Sequence, residues 1–311
     1  MFQMDRKIVF RLIRIVPFWK FGISAVVLLS AAGALHFWEY PVNWLHLLYS
    51  FLISALVLLC AFWFQVRITL SKTLVQIGKT FSVFTFPQRD KIEFEEKETL
   101  PVLNFLLMIS AVTLMLTFLL VMQFTDSRMG FNVYFGLVLI AVFLFSYAGS
   151  LNAICWTEEI LDSFLTVAAP VLLLLSFQAY TPAELTLKGY VIPLFFLFLS
   201  FRFVLSMIQL DAHAGWIPGF FPLVICRNFF RIHHLFVFFA LITIVIFNRM
   251  GVQWRIQWQQ LLTFPTLSLQ IIFVERIFNG IKPNWKLLGF LAYMNILLWA
   301  YFQIVTIWFS Y

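Results

Sequence analysis

LHLLYSFLISALVLLCAFWFQ, residues 45–65, contains no Asp, Glu, Lys or Arg, and the turns that follow it bring Arg67 and Lys72. A run of this length and composition meets the roughly 17–25 apolar residues that a helix needs to cross a bilayer. The cations beyond it mark the end at which it leaves the lipid. Outward from this stretch the pattern recurs at residues 21–38, 102–123, 131–149, 163–180, 189–209, 229–247, 258–274 and 287–309, which predicts nine transmembrane helices. The expected fold is therefore all-α and polytopic. Lipid offers no partner for a free backbone N–H or C=O, and the alternation of a β-barrel strand is absent.

The composition agrees with a bilayer as solvent. Hydrophobic residues make up 62% of the 311 and charged residues only 11%, with a mean hydropathy of +0.94. Soluble domains carry about a quarter charged residues, so a soluble fold is excluded. The 40 Phe residues suit either lipid contact or a cavity lined by rings, and a compositional bias accounts for them equally well.

Cations between the spans test the division independently, because short Lys/Arg-rich connections stay in the cytoplasm. Sixteen of the 21 Lys and Arg residues fall on one side, in the N-terminal segment and in the connections after spans two, six and eight. Arg128, Lys188, Arg249 and Arg255 lie opposite, and Arg202 falls inside a span. The N-terminus is expected inside and the C-terminus outside, in the cytoplasmic (inner) membrane of a cell. The formal charge of +7 reflects this orientation and does not point to nucleic acid.

Residues 1–17 are too charged for a secretory signal. Lys7, Arg11 and Arg14 repeat at helical spacing, with Ile8, Leu12 and Ile15 one residue on. That pattern fits an interfacial amphipathic helix on an anionic leaflet, or a simple orientation signal. Cys60, Cys155 and Cys226 stand singly and read as small packing residues. Phosphate-loop, nucleophile-elbow and metalloprotease motifs are absent.

The whole of 1–311 reads as a single transmembrane domain with two long inner connections, 67–100 and 210–228. The first is a solvated lobe of mixed charge; the second reads LDAHAGWIPGFFPLVICRN. Long connections usually carry a function. They stand four helices apart, so one from each half can cap a common inner opening.

This layout resembles the UbiA-type superfamily of intramembrane aromatic prenyltransferases. The string LFSYAGSLNAICWTEEILDSFLTVAAP, residues 144–170, is similar to that family's segment leading into the fifth helix. IPLFFLFLSFRFVLSMIQLDAHAG, residues 192–215, is similar to its sixth helix running into the second aspartate-rich motif, with Asp211 and Gly215 in the motif's last two places. The resemblance implies nine helices around a central cavity, with Mg²⁺ held by two aspartate-rich motifs on the diphosphate of an isoprenoid donor.

The chain departs from that chemistry. The place of the first motif reads FQVRITLSKT, residues 64–73, without a carboxylate, and Val204 and Met207 stand where further acids belong before Asp211. Mg²⁺ demands oxygen ligands in near-octahedral geometry, and one Asp does not supply them. Arg67 and Lys72 then either bind a phosphate head group without metal or anchor a helix end at the interface. Glu158 and Asp162, a helical turn apart beside Glu159, join Asp211 in a divergent metal site, or else Glu158 and Glu159 form a solvated helix N-terminus.

Arg202, a charge near the middle of a span, is a candidate ligand or structural contact. His213, His233 and His234 read as interfacial, and Pro265 predicts a kink in the eighth span. Two functions emerge. One is a non-catalytic membrane protein of this architecture that holds an isoprenoid, quinone or other lipid, or serves as a subunit of a membrane complex. The alternative is an active prenyltransferase that uses Mg²⁺ at a divergent acidic site to transfer an isoprenoid chain to a lipid-soluble acceptor.

Overall fold

A computed structural model describes residues 6–37, 42–72, 96–124, 135, 136, 138–140, 142, 157–176, 181–214, 222–250, 261–279, 281 and 284–309. The described elements are all helical: α1 Arg6–Ile15, α2 Phe18–Phe37, α3 Trp44–Lys72, α4 Glu96–Phe124, α5 Thr157–Ser163, a π-turn Phe164–Ala168, α6 Ala169–Ser176, α7 Thr181–Ala214, α8 Pro222–Arg249, α9 Phe264–Phe278 and α10 Trp285–Phe309. Among the described residues six helices are long and apolar enough to cross a membrane: Phe18–His36, Trp44–Phe64, Thr99–Val121, Lys188–Leu205, Ile232–Arg249 and Trp285–Phe302. They coincide with the first, second, third, sixth, seventh and ninth spans of the sequence. The fourth span lies mostly outside the described residues, the fifth is divided by the π-turn, and the described part of the eighth, residues 261–274, falls mainly in α9, which is 15 residues long.

Burial shows why lipid is needed. Only 22% of the Thr99–Val121 window is buried, and Met108, Val112, Met115, Leu116 and Leu120 all stand exposed. An apolar face of that extent requires an apolar partner, which the bilayer supplies. The chain thus has the all-helical, multi-pass character of a membrane protein.

Two compact units share the chain. The first comprises Met1–Ala25 and Leu48–Ala179, the second Val26–Leu47 and Tyr180–Tyr311. In the first, Ile53, Val57 and Ala61 of α3, Leu114 and Val121 of α4, and Leu165, Ala169 and Leu173 around the π-turn form one core. Phe135 of the fourth span joins it, stacked on Phe118 at 4.1 Å. A second core gathers Ile8, Leu12 and Val16 with Phe62, Trp63 and Val66 of α3 and Val102 and Leu103 of α4. The stripe at positions 8 and 12 thus packs on helices, while Phe10 and Ile13 on the same short helix remain exposed.

In the second unit α7 packs on α8 and α10, and α9 on α8 and α10. Rings carry these contacts, with Phe203 on Phe236 at 5.2 Å and Tyr190 on Trp299 at 4.7 Å.

One expectation changes. Pro265 occupies the first turn of α9, where its missing N–H breaks no helical bond, so it starts the helix and does not kink it. Helical structure extends into both inner connections. Helix α3 continues through Lys72 and α4 begins at Glu96, while α7 continues through Ala214 and α8 begins at Pro222. Polar residues extend a helix past the lipid because its backbone bonds are internal. Residues 73–95 and 215–221 lie outside the described residues.

Candidate functional site

Membrane helices rarely bury polar side chains without a reason, since lipid leaves such groups no alternative partner. Two constellations satisfy this description, one in each unit.

In the first unit, Lys20 of α2 forms an ion pair with Asp162 of α5. The Asp162 side chain is 1% exposed and that of Lys20 13%, so the charges are compensated in the interior. One turn further along both helices, Ser24 Oγ donates to the Thr166 carbonyl at 2.8 Å. Thr166 belongs to the π-turn, whose register is set by the Ala169 N–H donating to the Phe164 carbonyl, five residues back. A π-turn displaces the local carbonyls from the α pattern, and such turns collect at functional positions. Glu159 is buried here as well, and Ser163 Oγ donates to its carbonyl at 2.7 Å. Burial of Glu159 replaces the expectation of a solvated helix N-terminus at that residue.

In the second unit a chain of neutral side chains joins three helices. Asn295 of α10 donates through Nδ2 to Gln270 Oε1 of α9. Gln270 Nε2 lies 2.7 Å from His233 Nε2 of α8. His233 Nδ1 lies 3.1 Å from His234 Nδ1, and His234 Nε2 lies 2.9 Å from Glu275 Oε1, back on α9. Exposure falls along this path. The Glu275 side chain is 47% exposed and that of His234 24%, whereas His233, Gln270 and Asn295 are buried.

The carboxylate and cation candidates from the sequence are placed as follows. Arg67 is exposed on α3 in the first unit. Lys72 closes the same helix, Glu158 lies in the first turn of α5 and Asp211 in the last turn of α7, and the side chains of all three are outside the described residues. Arg202 is half-buried on α7, within electrostatic reach of the Tyr293 phenol on α10. Among the described residues no three His, Cys, Asp or Glu side chains converge in a way that holds a metal ion.

The amide–imidazole chain is absent from the sequence reading. Gln270 and Asn295 are isolated polar residues within apolar spans, a signal that singles out an intramembrane contact but not its partner. His233 is buried, whereas the next residue on α8, His234, stays partly exposed. Compared with known proteins, the chain matches no family model, no curated protein and no solved structure.

Proposed function

We propose that the protein is a nine-span, UbiA-like membrane protein of the inner membrane, with its N-terminus inside and C-terminus outside, that holds an isoprenoid, quinone or other lipid without catalysing prenyl transfer. The observation that carries the non-catalytic reading is the Lys20–Asp162 pair. Asp162 is the one metal candidate whose side chain is described, and a lysine ammonium already supplies its counter-charge. A cation site rebuilt around it would have to displace that ammonium.

Helix directions support the count of nine. Lys20 meets Asp162 and, four residues on, Ser24 meets Thr166, each pair separated by 142 residues, so α2 and α5 run the same way. Two parallel spans need an odd number of crossings between them. The windows of α3 and α4 supply two, which leaves one for residues 131–149.

Two measurements on purified protein test the reading. Mass spectrometry of co-purified lipids is expected to show an isoprenoid lipid or quinone enriched over the parent membrane; a profile equal to that membrane removes the ligand. Diphosphate release from a prenyl diphosphate, in the presence of an aromatic acceptor, is expected to be independent of Mg²⁺. Release that rises with Mg²⁺ establishes the transferase instead. A C-terminal reporter fusion is expected to face outside, and an inside signal ends the nine-span topology.

A further inference from the structure

Gln270 fixes the sense of the chain in which it sits. An amide nitrogen only donates, so with Gln270 Nε2 facing it, His233 Nε2 must accept. The His233 ring proton is therefore on Nδ1. It is directed at His234 Nδ1, which accepts and leaves the His234 proton on Nε2, directed at Glu275. One orientation thus runs through five side chains: Asn295 donates to Gln270, Gln270 to His233, His233 to His234 and His234 to the Glu275 carboxylate. Bonds aligned head to tail polarise one another, so the ends of such a chain are coupled.

Its ends lie in different environments. Glu275 occupies the last turn of α9 and is half-exposed, beside Arg276, which is exposed at the same helix end. Asn295 is about ten residues into α10, which places it about 15 Å along the axis and near the middle of a roughly 30 Å hydrocarbon core. Its Nδ2 is used within the chain, while its Oδ1 is buried and accepts no hydrogen bond among the described residues. A buried carbonyl oxygen of that kind requires a donor.

We propose that these five residues form a polarity relay that ends in a hydroxyl-binding site at Asn295 Oδ1, and that one proton taken up by the His234–Glu275 pair reverses the relay. With the pair deprotonated, Asn295 presents an acceptor to the mid-membrane site. When the pair gains a proton, His234 carries N–H at Nδ1 as well as the proton it shares with Glu275. His234 Nδ1 then donates to His233 Nδ1. His233 releases its Nδ1 proton to water and takes one up at Nε2, an exchange that requires a transient local opening of the contact between α8 and α9. Both amides turn over without breaking a covalent bond, so Gln270 Oε1 accepts from His233 and Gln270 Nε2 donates to Asn295 Oδ1. Asn295 Nδ2–H then faces the site. The balance is one proton, and the site changes from one that accepts from a hydroxyl to one that donates to a carbonyl.

Among the described side chains, the other charges on the packed helices are these. Lys286 is exposed at the start of α10, and Lys188 and Arg249 are exposed at the opposite helix ends. Arg202 of α7 acts on Tyr293, which precedes Asn295 by two residues and so projects from the other side of α10. The hydroxyl at Asn295 is that of a bound water or of a lipid-soluble alcohol.

Nitrogen NMR of the full chain in lipid nanodiscs, labelled at His, Asn and Gln, reads both halves of the proposal. On going from about pH 8 to about pH 5, His233 is expected to move its proton from Nδ1 to Nε2. Glu275→Gln and His234→Phe, which alter the accessible end and leave the buried amides in place, are expected to hold His233 as Nδ1–H at both values. A wild-type His233 that stays Nδ1–H throughout, or becomes doubly protonated, overturns the relay. At the higher pH a cross-peak between the Asn295 amide and water assigns the hydroxyl to water, and one to added dodecan-1-ol that replaces it assigns it to a lipid-soluble alcohol. The absence of both cross-peaks overturns the site.

Discussion

The two units bury polarity by opposite means. The first compensates a full charge with a full charge, Lys20 against Asp162, on two parallel helices. The second threads a chain of neutral amides and imidazoles through α8, α9 and α10, with that chain's one carboxylate at the accessible end. A charge pair is costly to break from one side, because the survivor is left uncompensated in a medium that cannot solvate it. A neutral chain loses less per link, because each survivor needs only a hydrogen bond, and it can change its sense without changing its composition. The first arrangement fixes a geometry; the second can transmit a change.

The largest test of that contrast is Asp162→Ala. Leaving the Lys20 ammonium alone in the first unit is expected to cost about 3–5 kcal/mol, read by unfolding in bicelles under a denaturing detergent. Removing both charges, with Lys20→Met and Asp162→Leu, is expected to return most of that loss. A single substitution that costs no more than a surface ion pair, about 1 kcal/mol or less, erases the distinction between the units. Gln270→Leu is expected to be milder, about 1–2 kcal/mol in the same assay, since hydrogen bonds between membrane helices contribute about 0.6 kcal/mol on average and this residue makes two. A loss equal to that of Asp162→Ala shows that the neutral chain is as rigid as the charge pair. Ser24→Ala removes one bond to the π-turn and is expected to cost about 0.6 kcal/mol. Smallest of all, Pro265→Ala is expected to change stability by well under the roughly 3 kcal/mol that an interior helix proline commands, because Pro265 sits in a first turn.

The helical class and six of the spans were legible because a bilayer imposes one length and one composition on every crossing. Helix ends were less so: α3 and α7 run past the apolar windows within them, and hydropathy marks where lipid stops rather than where a helix does. Asp162 was found as an acid but not as half of a pair, because Lys20 lies 142 residues away and its sequence neighbours say only that it sits near an inner helix end. The chain in the second unit escaped for a related reason. Gln270 and Asn295 are unremarkable singly, and their meeting depends on the rotation of α9 and α10 about their axes. His233 and His234 are adjacent in sequence, yet a step of about 100° around α8 separates a buried ring from one at the rim.

The π-turn at Phe164–Ala168 has a genealogical consequence. A wide turn of this kind is how a helix accommodates one residue more than its α-helical frame would hold without shifting what lies on either side. Related chains that follow a regular α-helix here would be one residue shorter, and aligned with this protein they would carry a single gap between the positions of Asp162 and Ala169.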